Sequence, residues 1–210
     1  MEGKNLTRIL RVIKSLSIHP SYIPFYLRYS ILNKKEPLEL ALPWISLSAI
    51  KFLDNYSIDS KSEILELGGG GSTLYFAKKG AKVTCLESDE LWAKKIEVKS
   101  KELNISNIDL KILPYNFKKL ESFVNSKFFE FIGKNKYDII LIDNYEEKIQ
   151  LRPKCFYAAE KSIKPGGIII IDDSWRYPEL RENNSAKFFK VFKSIGPCRL
   201  GVSSTDIYFY

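Results

Sequence analysis

One histidine, one methionine and three cysteines are the whole supply of imidazole and sulfur ligands in these 210 residues. The histidine, His19, stands before Pro20 in an irregular aromatic stretch. A Ser-His-Asp triad or a multi-histidine zinc site is therefore not expected, and we read His19 as a loop residue. Cys85, Cys155 and Cys198 are dispersed, odd in number and without metal-ligand spacing, which argues against a disulfide framework. We expect a reducing, cytoplasmic setting. No uninterrupted apolar run approaches the length that spans a bilayer. The first apolar stretch is broken by Arg8, Arg11 and Lys14, so a signal peptide is not expected either. Internal repeats and low-complexity linkers are lacking too.

What is present suits one α/β domain with a short extension. The chain is 45% hydrophobic and 28% charged, enough for a sizeable core. Its formal net charge is +8. The lysines are scattered, and we read many as solvated helix faces. The other reading is attraction to an anionic partner, such as RNA, a phosphorylated metabolite or a membrane surface. "NLTRILRVIKSLSI" places Leu6, Ile9, Leu10 and Ile13 at helical spacing, with cations elsewhere on the wheel. We expect that apolar face to dock on its own domain, with membrane-surface binding or dimerisation as the alternatives. "HPSYIPFYLRYSILNKKEP" reads as a lid or docking arm with a short helix. "PWISLSAIKFLDNY" reads as a helix with Pro43 at its start. Residues 1–60 are thus expected to form a helical extension, and 61–210 the main domain.

From Ser62 the pattern changes. "EILEL", "KVTCLE", "IDLKIL", "YDIILID" and "GGIIIIDD" are short Ile/Leu/Val-rich runs. Helix-length segments separate them: Ser72–Lys79, Asp89–Leu103, Asn116–Ile132 and Glu147–Lys164. Apolar strands alternating with helices predict a doubly wound, mostly parallel sheet covered on both faces. A further helix is expected over Pro178–Ile195. "CRLGVSS" and "TDIYFY", joined by a short turn, predict a terminal antiparallel hairpin.

Four consecutive glycines, Gly68–Gly71, follow the first strand and open the first helix. Such a turn offers backbone N–H groups and a helix N-terminus to an anionic group. The nucleotide-hydrolase phosphate loop fails, because no lysine precedes Ser72. The dinucleotide fingerprint is damaged, because Thr73 or Leu74 stands where its third glycine belongs. "ELGGGGST" instead resembles the first motif of class I S-adenosylmethionine-dependent methyltransferases: an acid, any residue, Gly, any residue, Gly. Here these are Glu66, Gly68 and Gly70.

That resemblance covers about residues 60–210. It implies a Rossmann-like fold with seven strands, the last inserted antiparallel. It implies S-adenosylmethionine as cofactor, held by Glu66, Gly68, Gly69, Gly70, Ser72 and Asp143. Glu87, ending the second strand about 20 residues after the turn, is expected to take the ribose. In "LPYNF" the usual adenine-contacting acid is missing, so Asn116, or a backbone group near Tyr115, would have to serve. Asn116 reads equally as a helix N-cap.

For the acceptor, "IDNYEE" departs from the motif of amino-group enzymes, and no catalytic cysteine motif of RNA cytosine enzymes is visible. The small catechol-type O-methyltransferases are more similar. Their metal ligands correspond to Asp143, Asp172 and Asp173, which implies a possible Mg2+ site. Asp173 stands where they have asparagine, and their lysine is displaced to Lys148. Asp143, Asp173 and Lys148 are the implied catalytic groups. Trp175, Arg176 and Tyr177 are expected beside the acceptor or packing the loop. The expected activity is methyl transfer to oxygen on a small molecule or glycan-like acceptor. RNA or protein as acceptor, and a non-catalytic protein retaining the fold, remain the alternatives.

Overall fold

The computed structural model describes residues 2–33 and 35–210. The chain opens with helix α1 (Glu2–Ile18), then a 3-10 turn at Pro20–Tyr22 and α2 (Ile23–Tyr26), which runs on as a π-turn over Leu27–Ile31. His19 joins these pieces and stacks on Tyr22, ring centroids 4.7 Å apart. The arm continues with α3 (Pro37–Leu40) and α4 (Leu47–Asp54). Pro43 precedes α4 rather than starting it.

Five parallel strands follow with their helices: β1 (Glu63–Leu67), α5 (Gly71–Lys78), β2 (Lys82–Glu87), α6 (Glu90–Glu102), β3 (Ile108–Ile112), α7 (Leu120–Val124), α8 (Lys127–Ile132), β4 (Tyr137–Ile142), α9 (Arg152–Ala159) and β5 (Ile163–Asp172). Asp89 accepts from the Trp92 N–H and caps α6. The single helix expected over Asn116–Ile132 is divided in two, and Ser126 caps the second piece through the Phe129 N–H.

The sheet has seven strands in the order β3-β2-β1-β4-β5-β7-β6, counting β6 (Phe188–Ile195) and β7 (Val202–Phe209). The last two are antiparallel to each other, and β7 is antiparallel to β5. This is the doubly wound, mostly parallel sheet with a terminal hairpin that the sequence predicts. One part differs. No helix spans Pro178–Ile195. Short 3-10 turns occupy Ser174–Arg176 and Pro178–Arg181, and Phe188–Ile195 is itself the first strand of the hairpin. "CRLGVSS" supplies the turn and the start of β7.

Buried side chains sit on both faces of the sheet. One face joins Ile64, Val83, Ile139 and Ile168 to arm residues Val12, Tyr22, Tyr26 and Leu53. The other joins Leu65, Leu86, Ile140 and Ile169 to Phe123, Phe128 and Phe156. The strand order reverses between β1 and β4, so a crevice opens at their carboxyl ends, where such sheets take ligands.

The outward apolar face of α1 is a second departure. Val12 and Ser15 are buried, and Ser15 Oγ accepts from the Ile195 N–H. Leu6, Ile9, Leu10 and Ile13 are 55–59% exposed. The helix docks by its polar-flanked side and leaves its apolar stripe outside. Among the described residues, no helix is long and apolar enough to cross a membrane.

Candidate functional site

A cavity of about 1520 Å³ opens at the carboxyl ends of β1, β2, β4 and β5, and the arm forms its opposite wall. The glycine turn lies at its floor, and its four positions have different reasons to be glycine. Gly68 has φ +87°, and a Cβ there would lie 2.7–2.9 Å from the Asp143–Asn144 backbone. At Gly69 a Cβ would meet Cys85 Sγ at 2.5 Å and Ile96 Cδ1 at 2.7 Å. At Gly71 it would strike the Pro37 and Leu42 carbonyl oxygens of the arm. Only at Gly70 would it meet nothing within 4 Å. Three glycines therefore serve the chain's own packing, and one keeps space open in the cavity.

Behind the turn, Thr73 ties it together. Its hydroxyl accepts from the Gly70 N–H at 2.9 Å and donates to Glu66 Oε2 at 2.5 Å. Glu66 is fully buried, its Oε1 has no hydrogen-bond partner among the described residues, and it does not line the cavity. Burial pushes its carboxyl up to about 8, although Ser72 and Thr73 hydroxyls oppose the shift. The sequence expects Glu66 to face the cofactor; the structure puts it one layer deeper, as a support for the turn.

Glu87 does line the cavity, and it is buried. Its Oε2 accepts from the Gly69 N–H at 3.0 Å, and its Oε1 from Ser88 and Asp89 N–H groups at 2.6 and 2.9 Å. Three donors fix the carboxylate against the turn, leaving lone pairs toward the cavity. Trp92, on α6, donates its indole N–H to the Gly69 carbonyl at 2.8 Å. Tyr115 and Phe117, from the loop after β3, complete an aromatic side to this half.

Beyond β4 and β5 the site is an array of acids threaded by two arginines. Arg152, buried at the start of α9, donates to the Asn144 and Asp172 carbonyls at 3.0 Å each and ion-pairs Asp143 Oδ1 at 2.8 Å. Burial alone would lower its pKa, but Asp143 and the other acids nearby outweigh burial and raise it. Glu146 anchors the same helix, accepting from Leu151 and Arg152 N–H groups at 2.7 and 3.0 Å. Asp172 accepts from Thr205 Oγ1 at 2.8 Å and faces Arg199 at 3.7 Å. Burial, then the Asp143 charge, push the Asp172 carboxyl up to about 7. Burial also raises Asp143, against the pull of Arg152. Asp173, at φ +51°, accepts from Ser203 Oγ at 3.3 Å and faces Arg199 at 3.8 Å.

The structure thus brings Gly68, Gly69, Gly70, Ser72, Glu87, Asp143, Asp172 and Asp173 to one cavity. It does not bring Asn116, Lys148, Trp175, Arg176 or Tyr177 there. Asn116 is exposed, and its side chain accepts from the Lys118 N–H in a local turn rather than capping a helix. Lys148 is exposed. Arg176 pairs with Glu146 at 2.7 Å, and Tyr177 is buried with its hydroxyl on Glu146 at 2.5 Å. Trp175 points to solvent, 64% exposed. Residues that the motifs did not mark are Arg152, Arg199, Trp92 and Phe117, with Arg8 and Arg11 from α1, while Tyr115, near which a backbone contact is expected, lines the cavity.

The three aspartates do not fit a magnesium site as placed. Among the described residues, no three His, Cys, Asp or Glu side chains converge as a metal requires. Asp143 is neutralised by Arg152, and Asp172 and Asp173 face Arg199. Guanidinium groups hold the positions that a dication would need.

No protein-family model matches the chain, and no curated protein matches it by sequence. Solved structures do match it. The O-methyltransferase from Bacillus cereus in complex with SAH is 19% identical, with 89% of this chain and 95% of that one covered, at a TM-score of 0.56. TomG, an O-methyltransferase from Streptomyces achromogenes in complex with SAM, is 16% identical over 90% and 96%, at 0.59. An rRNA methylase from Streptococcus thermophilus is 14% identical over 84% and 98%, at 0.54. The chain shares the fold of these methyltransferases over nearly its whole length.

Proposed function

We propose that the protein is an S-adenosylmethionine-dependent methyltransferase acting on an oxygen of a small molecule or glycan-like acceptor. One observation carries the reading: Gly70 leaves the turn open toward a cavity lined with acids, at the strand ends of a fold shared with methyltransferases. This donor set suits a ligand with a carboxylate, a ribose and two cationic groups. The N–H groups of Gly68, Gly69 and Gly70 are taken by Leu86, Glu87 and Thr73, so the first N–H groups of α5 would receive the carboxylate. Glu87 would accept from the ribose hydroxyls, and Tyr115, Phe117 and Trp92 flank space for a planar base. Glu87 and Asp89 would offset positive charge, while Asp143, already paired with Arg152, would contribute as a hydrogen-bond acceptor.

The cofactor, when bound, supplies an electrophilic methyl group. The chain's part is to hold an acceptor against it and to take the acceptor's proton. Asp172 suits the second task, since its carboxyl is held up to about 7 at the cavity wall. Thr205 and Arg199 fix its orientation. The cationic arm favours a second reading, with RNA as acceptor. The two separate by ionic strength, because an RNA complex weakens steeply with salt.

Calorimetry tests the cofactor. S-adenosylhomocysteine should bind at micromolar concentration, and NAD and ATP should not. Equal or tighter binding of NAD would overturn the reading of the glycine turn.

A further inference from the structure

The apolar stripe of α1 has no role in the cavity. Leu6, Ile9, Leu10 and Ile13 recur at i, i+3, i+4 and i+7, each 55–59% exposed, on the side of the helix opposite buried Val12 and Ser15. Together they make an apolar patch on the order of 400 Å², the size that marks an interaction site on a monomer. The next helical segment adds Ile23, Leu27 and Ile31, which are 40–50% exposed. Nothing else in the described chain covers either stripe.

Charge decides what does. No acid stands between Glu2 and Glu36, while Lys4, Arg8, Arg11, Lys14, Arg28, Lys34 and Lys35 all fall in that stretch. Arg8, Arg11, Lys14 and Arg28 are exposed, and none of them makes an ion pair among the described residues. A second copy meeting this face would bring two arms of like net charge together, with no acid between Glu2 and Glu36 to compensate. An anionic bilayer offers the complementary arrangement. Its interface takes Leu and Ile into the acyl boundary, and its headgroups attract Lys14 at the edge of the stripe together with the net positive charge of the arm.

We propose that α1 is an interfacial anchor that seats the protein on anionic membrane surfaces through Leu6, Ile9, Leu10 and Ile13. Thr7, Arg8 and Arg11 of the same helix line the cavity, so an anchored α1 sets the cavity beside the headgroups. The anchoring holds whether or not the cavity takes the proposed cofactor.

Vesicle co-sedimentation of the full chain tests this. Phosphatidylcholine vesicles with roughly one third phosphatidylserine should bind it at least tenfold more strongly than phosphatidylcholine alone. Raising NaCl from about 50 to about 500 mM should release most of it. Leu10→Asp with Ile13→Asp should cut binding at least tenfold, while Val98→Asp with Lys94→Gln, which puts the same net charge change of −2 on exposed α6, should not. Lys14→Gln should lower it about fivefold, the scale for one cation at an anionic leaflet. Circular dichroism establishes that the variants are folded. If the folded wild-type chain ignores anionic vesicles, the proposal is wrong. It is equally wrong if sedimentation equilibrium shows a dimer that the Leu10→Asp, Ile13→Asp variant dissociates.

Discussion

The two walls of the cavity are built on different terms. On the strand-end wall the key charged groups are held: Glu87 by three backbone N–H groups, Asp143 by Arg152, and Asp172 by Thr205 and Arg199. Three of its four turn glycines, Gly68, Gly69 and Gly71, fit the neighbouring chain to within a methyl group. On the arm wall, Arg8 and Arg11 stand exposed on a helix with no ion pair among the described residues. A wall of fixed dipoles suits a ligand that never varies, because no reorganisation is needed when it binds. A wall of long, unheld cations suits a ligand whose shape is not fixed in advance, at the cost of ordering those side chains on contact. The first wall is where the cofactor is proposed, and the second is where the proposed acceptor would enter.

The sharpest way to break this contrast is inside the glycine turn. Gly68→Val puts a branched side chain at φ +87° against the Asp143–Asn144 backbone and should cost more than about 4 kcal/mol, visible as loss of the folded far-UV signal. Gly70→Val enters open space at an extended φ and should leave thermal stability nearly unchanged. Its S-adenosylhomocysteine affinity should fall by about 1–3 kcal/mol, the scale of overpacking a filled site. A folded Gly68→Val, or a Gly70→Val that binds normally, would reverse the assignment of the two positions.

The arginines come next. Arg152→Met removes a buried cation and strands Asp143, so urea denaturation should show a loss of about 3–5 kcal/mol. Arg8→Ala should change stability by no more than about 0.5 kcal/mol. Similar losses from both would mean that the arm wall is as rigidly held as the other.

A further effect concerns pH. Glu66 rises from an ordinary value near 4.5 to about 8 in the fold, so the folded chain favours its protonated form. That stability is present below about pH 4.5 and is lost as pH climbs through 8, a decline of a few kcal/mol. Glu66→Gln should flatten the urea midpoint between pH 5 and 8. A midpoint that rises with pH in the wild type would show that Glu66 is ionised in place.

Strands β4 and β5 were legible because each holds four consecutive buried aliphatic residues, Ile139–Ile142 and Ile168–Ile171, whereas β3, at the sheet edge, shows only an alternation of Ile108, Leu110 and Ile112 with charged residues. Glu87 and Asp143 were legible because strand ends fix where side chains meet a crevice. β6 was not. Phe188, Val191, Phe192 and Ile195 fall at i, i+3, i+4 and i+7, a helical period by coincidence. As an edge strand paired only with β7, it buries few of its residues and so lacks a continuous apolar signal. Arg152 and Arg199 carried no linear mark, since their partners lie on other elements and only folding joins them. Glu66 sat in the right motif but on the hidden side of the strand, a matter of one residue's pleat. The outward stripe of α1 was misread because periodicity gives a face without saying which way it points.

Gly70 differs from its three neighbours in what constrains it. Gly68, Gly69 and Gly71 are required by the chain's own packing, whatever the cavity contains. At Gly70 the packing demands nothing, so only an occupant of the cavity can keep a side chain out. Among descendants of this chain, one that kept its fold but abandoned its ligand would retain those three glycines. It would accumulate alanine, serine or asparagine at position 70 first, making that position a tell-tale for lost activity.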